Sequence, residues 1–333
     1  MKGTAMEQRV LGRTGVKLST LGFGCGAVGG LMVRGDAADQ ERAVARALEL
    51  GINYFDTAAA YGNGDSERNL GRVLKTLRPK IFLSTKFTIL AEDHGRIGAA
   101  VAASLEASLG RLGRDEVDLL QLHNRIARDG RDRALEADIV LSEVVPALEA
   151  LRQQGKIRFF GITGLGETPE LQRIVDARSL DTAQICYNLL NPSAGGTLPP
   201  GLPGQDFAGL LDRAHAAGMG TIGIRVLAGG ALSGAETRHP LGIQHLEPIA
   251  SAPDYRSDVA HAKKFEALVR KGHARSIIEA ALRFAIASPA MTTVLVGYST
   301  IEQLEYAASC VNRGALSAAA LGDLAGLWRG FAK

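Results

Sequence analysis

Eight short apolar segments recur along this 333-residue chain, and each is followed by a stretch of helical periodicity. The apolar segments lie at residues 21–25, 52–55, 81–85, 117–122, 159–163, 183–187, 220–226 and 292–296. The helical stretches cover 38–50, 66–77, 97–112, 139–154, 169–177, 206–217, 259–270 with 274–287, and 301–311. Continuous short apolar runs belong to parallel strands that are covered on both faces. Eight strand–helix units in one chain predict a (β/α)8 TIM barrel, with reactive groups at the C-terminal ends of the strands. Around it, residues 8–19 read as an N-terminal β-hairpin, 227–262 as a long loop after the seventh barrel strand, and 318–331 as an extra C-terminal helix. The expectation is a single barrel domain over 1–333.

An open dinucleotide-binding sheet competes with that reading. The run Gly24-Cys25-Gly26-Ala27-Val28-Gly29 matches GxGxxG, and Asp56 ends the next strand, where a ribose-binding acid belongs. Such a fingerprint opens a helix at once. Here residues 31–35 intervene, and 40 glycines make chance matches common, so the barrel is preferred.

Composition narrows the function class. Hydrophobic content of 46% and charged content of 22% describe a globular protein with ample core material. Net charge is +3 with no long basic run, which argues against nucleic acid as a partner. Cys25, Cys186 and Cys310 are far apart and form no CxxC, so free thiols in a reducing compartment are expected. No apolar run reaches the ~18 residues of a membrane span, and the first fifteen residues lack the apolar core of a signal peptide. A cytoplasmic protein is expected, without membrane association.

The polar residues at the expected strand exits are Asp56, Tyr61, Lys86, His123, Thr163, Gln184 and Arg225. Singly, each has a plain explanation: a helix cap, a solvated lysine, a satisfied core histidine. Together, four reactive types on three successive strand ends make one device. A tyrosine phenol ionises near pH ~10 and is a poor acid at neutrality. An adjacent Lys86 ammonium favours the phenolate and lowers that value, and Asp56 would hold Lys86 charged and in place. His123 can donate a hydrogen bond to a substrate oxygen or help relay a proton. Such a site polarises a carbonyl and protonates its oxygen as charge develops. With no nucleophile and no metal-ligand cluster beside it, it needs a hydride donor such as a nicotinamide.

The motifs carrying this chemistry are FDTAAAYG at 55–62, STK at 84–86 and LLQLH at 119–123. They are followed by GKIRFFGI at 155–162, QICYN at 184–188, LAGGALSG at 227–234, VG at 296–297 and EQL at 302–304. In this order and over essentially its whole length the chain resembles the aldo-keto reductases. The resemblance implies a tetrad of Asp56, Tyr61, Lys86 and His123, with Tyr61 the general acid/base. It implies Thr163 and Gln184 at the nicotinamide carboxamide. Leu227, Gly229, Ala231 and Gly234 would lie in a loop that wraps the pyrophosphate, and Gly297, Ser299 and Gln303 would meet the cofactor's far end.

The chain also departs from the family. Thr163-Gly164 stands where Ser-Asn is usual, and Ile224 where an aromatic often stacks on the nicotinamide. Arg225 replaces a small polar residue. It would pair with the pyrophosphate or, alternatively, form a structural ion pair. Ser299 stands where a basic residue often meets the 2′-phosphate, and Tyr306-Ala307 where a Glu-Asn pair meets adenine. The resemblance implies NADP(H), and these departures make NAD(H) the alternative, as in the branch that oxidises aldoses at C1. The loops at 28–34, 124–133 and 238–255 mix Arg, His and Asp with few aromatics. A small polar carbonyl or sugar is therefore the expected substrate, handled by a monomer or small homo-oligomer. The rival function is a cofactor-binding regulatory subunit that senses redox state, like the potassium-channel β subunits of this fold. A lyase or hydrolase would want paired carboxylates or a metal cluster at the strand ends, which the sequence lacks.

Overall fold

The eight apolar segments become eight parallel strands closed into a barrel. The structure, a computed structural model, describes residues 6–332; residues 1–5 and 333 of the expected domain lie outside it. The strands are β1 Gln8–Val10, β2 Lys17–Ser19, β3 Leu21–Gly24, β4 Tyr54–Asp56, β5 Phe82–Phe87, β6 Val117–Leu122, β7 Ile157–Gly164, β8 Thr182–Cys186, β9 Gly220–Ile224 and β10 Thr293–Gly297. The antiparallel pair β1–β2 is the hairpin, with Arg9 opposite Leu18. The others run in chain order around the barrel, which closes where β10 pairs with β3, Val296 beside Phe23.

Because side chains alternate along a strand, each barrel strand sends every second residue inward. The inner residues at the base, Tyr54, Phe82, Leu119 and Ile222, cluster with Leu11 and Leu18, so the hairpin plugs the N-terminal mouth. The hairpin is pinned by its arginines. Arg9 donates to the carbonyls of Ile286 and Met291 at 3.0 and 2.9 Å, and Arg13 to those of Arg178 and Ala217, both at 2.7 Å. The outward residues, such as Phe23, Phe55, Leu120 and Ile185, pack under the helices in a separate and larger core. The final helix, Ala318–Arg329, is held over the C-terminal end of β8 by Trp328, whose indole N–H donates to the carbonyl of Leu189 at 2.9 Å.

Three expected helices differ in ways their residues explain. The helix expected at 206 begins at Leu210, because Ala208 and Gly209 take left-handed φ values of 48° and 72°. The helix expected at 259–270 begins at Tyr255, capped by the Asp254 carboxylate accepting from the Ser257 amide, and breaks between Lys263 and Glu266. The helix expected at 139–154 contains a wide π turn over Val140–Val144. Pro146, in the first turn beyond it, cannot donate an amide to the regular ladder.

The loop after β9 folds back on the loop after β3. Arg34 donates to the carbonyls of Leu241 and Ala27, both at 2.6 Å, and the Ile243 amide bonds the Ala27 carbonyl at 3.2 Å. Gly30 sits beneath this contact at φ 87°, and a Cβ there would lie 1.6 Å from the Leu241 carbonyl oxygen. Only glycine fits that position.

Candidate active site

Asp56 is the last residue of β4, and its inward side chain meets Lys86 from β5 in a salt bridge buried at both partners. Beyond β4 the Thr57 hydroxyl shares a 2.7 Å hydrogen bond with Ser66, and Ser66 donates to the Cys25 carbonyl at 2.9 Å. Gly62, Asn63 and Gly64, at φ 60°, 52° and 87°, then turn the chain sharply into the helix Asp65–Leu77. That turn leaves Tyr61 over the barrel mouth, against Gly26. Lys86 Nζ donates to the Thr57 carbonyl at 2.9 Å and lies 3.2 Å from Tyr61 Oη. His123, one residue past β6 and held by its amide to the Phe87 carbonyl at 2.8 Å, presents its ring edge-on to Tyr61, centroids 5.7 Å apart. The structure thus brings Asp56, Tyr61, Lys86 and His123 together. The fate of Asp56 also removes the open-sheet reading: its carboxylate faces Lys86, and Gly24 and Gly29 serve close packing against β10, not a phosphate turn.

The electrostatics correct one expectation. Burial pushes the Tyr61 phenol above its ordinary value; Lys86 pulls against that and Asp56 adds to it, and the net direction is upward, not downward. Burial also disfavours the Lys86 charge, but Asp56 and then Tyr61 outweigh it and raise its value. His123 is pushed down to about 3 by burial and by the nearby Lys86 charge. It is therefore a neutral imidazole at physiological pH, which can donate one hydrogen bond from its protonated ring nitrogen.

A polar tier lies beneath the tetrad that sequence reasoning passed over. Asp56 Oδ2 takes Lys86. Asp56 Oδ1 is approached by Ser84 Oγ at 2.6 Å, Gln184 Nε2 at 2.9 Å, Gln121 Nε2 at 3.2 Å and Tyr54 Oη at 3.3 Å. All of these residues are buried. The signal was available: Ser84 and Gln121 are polar residues at alternate positions of otherwise apolar strands.

The expected cofactor residues fall into three places. Thr163 and Gln184 are register partners on β7 and β8, the Thr163 hydroxyl donating to the Leu122 carbonyl at 3.0 Å. Leu227, Gly229, Ala231 and Gly234 belong to a tight turn around the 3-10 helix Ala228–Ser233, with Gly229 and Gly230 at φ 68° and 112°. Arg225, at φ 54°, opens that turn, its carbonyl bonded by Asn188 Nδ2 at 2.9 Å and by the Ala228 amide at 2.7 Å. Its guanidinium makes no ion pair among the described residues; Nη1 reaches the Glu247 carbonyl at 3.4 Å, and burial pulls its value down. The structural ion pair held open for Arg225 is thus not formed. At the third place, Gly297 ends β10, the buried Ser299 hydroxyl donates to the Gly29 carbonyl at 2.6 Å, and Gln303 Oε1 accepts from the Ser299 amide at 2.8 Å.

Among the described residues no helix is long and apolar enough to cross a membrane, and the three cysteines are free and buried.

Comparison with known proteins agrees with the fold. Residues 20–329 match the profile of the Aldo/keto reductase family. The chain is 33% identical over 310 residues to L-galactose dehydrogenase of Arabidopsis thaliana, an alignment covering 91% of this chain and 87% of that protein. It is 28% identical over 333 residues to L-glyceraldehyde 3-phosphate reductase of Escherichia coli (strain K12), covering 92% and 88%. Among solved structures, an aldo-keto reductase from Bacillus halodurans in its holo form superposes with a TM-score of 0.70 at 25% identity, over 98% of this chain and 97% of that one.

Proposed function

The chain belongs to the aldo/keto reductase family, and from that premise we propose that it interconverts a small polar aldehyde or aldose and its two-electron partner, with Tyr61 as general acid/base. That it is an oxidoreductase of carbonyl and alcohol groups follows from the family and its relatives. The roles of the residues are our reading, and one observation carries it. The Lys86 ammonium contacts Asp56, the Thr57 carbonyl and Tyr61 Oη at once, beside the neutral His123.

In the reductive direction His123 donates a hydrogen bond to the substrate carbonyl oxygen and fixes its position. Tyr61 gives its proton to that oxygen as charge builds on it, and Lys86 stabilises the phenolate left behind. Asp56 keeps Lys86 in place. In the oxidative direction the phenolate takes the hydroxyl proton, with the same partners. A bound nicotinamide supplies or accepts the hydride. The chain's residues fit such a group, because Arg225 is a half-buried cation with no carboxylate ion pair among the described residues, beside a glycine turn. An anion at that position would satisfy it. Arg225, Leu227, Gly229, Ala231 and Gly234 would hold the diphosphate, Thr163 and Gln184 the carboxamide, and Gly297, Ser299 and Gln303 the adenosine end.

We read the cofactor as NAD(H). Ser299 carries no charge, and its hydroxyl is already given to Gly29, so it offers nothing to a 2′-phosphate. Fluorescence titration should find NADH bound at least as tightly as NADPH. A preference for NADPH beyond about tenfold, ~1.4 kcal/mol, would overturn this reading. In the same titration Arg225→Leu should weaken both cofactors alike, by roughly tenfold or more, as expected for loss of a charged hydrogen-bond donor. The substrate class is supported by the polar loops at the mouth, and the Arabidopsis thaliana and Escherichia coli relatives are named for a sugar and a sugar-like aldehyde phosphate. A panel of aldoses and short aldehydes, run in both directions, tests it. Turnover only with large apolar carbonyls would refute it, and cofactor binding without any turnover would favour the regulatory subunit.

A further inference from the structure

The catalytic tetrad explains only one oxygen of Asp56. Oδ2 takes Lys86, while Oδ1 faces four donors arriving from three other positions around the barrel and from its own strand. Ser84 comes from β5, Gln121 from β6, Gln184 from β8, and Tyr54 from β4 itself. A carboxylate that met only an ammonium could rotate about its last bond and still keep the ion pair. Anchoring Oδ1 from several sides removes that freedom and aims Oδ2 at Lys86. Lys86 in turn has two other contacts, the Thr57 carbonyl and Tyr61 Oη. Its distance from Tyr61 therefore depends on where Asp56 holds it.

Gln184 is the member of this tier with a second task. It has been read above as a ligand of the carboxamide. Yet its side-chain nitrogen is 2.9 Å from Asp56 Oδ1, and it is buried. A carboxylate only accepts hydrogen bonds, so the amide must present its nitrogen there and keep its oxygen for another partner. Gln121, one level with Lys86 in the β5–β6 register and wholly buried, makes the corresponding bond without being counted among the cofactor residues.

We propose that Gln184 is a positioning residue for proton transfer: by its amide bond to Asp56 it fixes the carboxylate that holds Lys86 against Tyr61, and so acts on the tetrad with or without cofactor. The proposal rests on the assignment of Tyr61 as the acid/base. The charged and titratable groups facing Tyr61 are Lys86 from β5 and Asp56 from β4, His123 beyond β6, and Arg225 beyond β9. Of these, Lys86 opposes the upward push of burial most strongly. A looser Lys86 lets Tyr61 titrate at still higher pH.

The test reads Tyr61 in the cofactor-free protein, by ultraviolet difference titration against Tyr61→Phe, and the pH–rate profile at saturating cofactor. In Gln184→Leu both the Tyr61 titration and the alkaline limb of the profile should move to higher pH by about one unit. Oxidation at neutral pH should fall roughly tenfold with it. Gln121→Leu and Ser84→Ala should shift Tyr61 in the same direction while leaving the cofactor dissociation constant unchanged. If Gln184→Leu weakens cofactor binding and leaves the cofactor-free Tyr61 titration where it was, Gln184 is a cofactor ligand alone and the proposal fails. If Gln184→Leu does not fold, an unmoved titration in both other variants overturns the tier's role equally. Either result leaves the Tyr61 assignment standing, whereas turnover retained in Tyr61→Phe undoes that assignment and this inference with it.

Discussion

Tyr61→Phe removes turnover, by roughly 10²–10⁴-fold as for the loss of a general acid, and leaves cofactor affinity nearly unchanged. The phenol oxygen is the atom 3.2 Å from Lys86 Nζ, and phenylalanine keeps the ring against Gly26 and edge-on to His123. The substitution thus deletes the proton without opening a cavity. Stopped assays in both directions, with cofactor titration as the control, measure it. In the unsubstituted protein the direction of the Tyr61 shift sets the profile. The raised phenol stays protonated through neutrality, so reduction persists there and falls only as the pH climbs past the shifted value. His123 near 3 contributes no break in the neutral range. Wild-type-like turnover in the phenylalanine variant would sink the assignment.

Lys86→Met should cost both activity and stability. Methionine matches the length of the side chain but leaves Asp56 buried without its cation. Breaking a buried pair from one side costs about 3–5 kcal/mol, which urea unfolding will read as a lower midpoint at unchanged slope. Turnover should fall with it, because the phenolate loses the one cation bonded to it among the described residues. The pH dependence carries the sign of the shift. Lys86 is raised in the folded protein, so its contribution is complete below the ordinary lysine range and is lost as pH rises through the shifted value. In Lys86→Met that alkaline loss of stability should be absent. An unfolding midpoint equal to wild type would mean that Asp56 finds other compensation in the tier of donors around it.

Much of this was legible before any coordinates. The barrel was, because parallel strands buried on both faces leave short unbroken apolar runs, and the register of eight of them admits few closures. The meeting of Asp56, Lys86 and His123 was, because each lies at or just past a strand exit where alternation decides which way it points, whereas Tyr61 is brought to them by the turn at Gly62–Gly64. What failed did so for reasons that sit outside strand and helix patterns. The helix start at Leu210 depends on two left-handed residues, one of them Ala208, an unusual host for that conformation. The direction of the Tyr61 shift depends on burial, which a list of neighbours in sequence does not contain. The convergence of Ser84, Gln121 and Tyr54 was not legible, since nothing in one strand announces that donors from that of Asp56 and from three others meet at the same oxygen.

The inner face of β5 reads Phe82, Ser84, Lys86 from base to rim, and that of β6 continues as Leu119, Gln121, His123. Residues two apart on one strand therefore live under opposite rules. Aliphatic exchange at Leu119 or Ile222 repacks an oily plug and typically costs under ~1.5 kcal/mol. The same exchange at Gln121 withdraws a donor from a buried charge. A lineage carrying this barrel can let its base drift and its rim loops diverge, while the tier between them is frozen. New substrate preferences would then have to be written almost wholly in the loops, above machinery that cannot be redrawn.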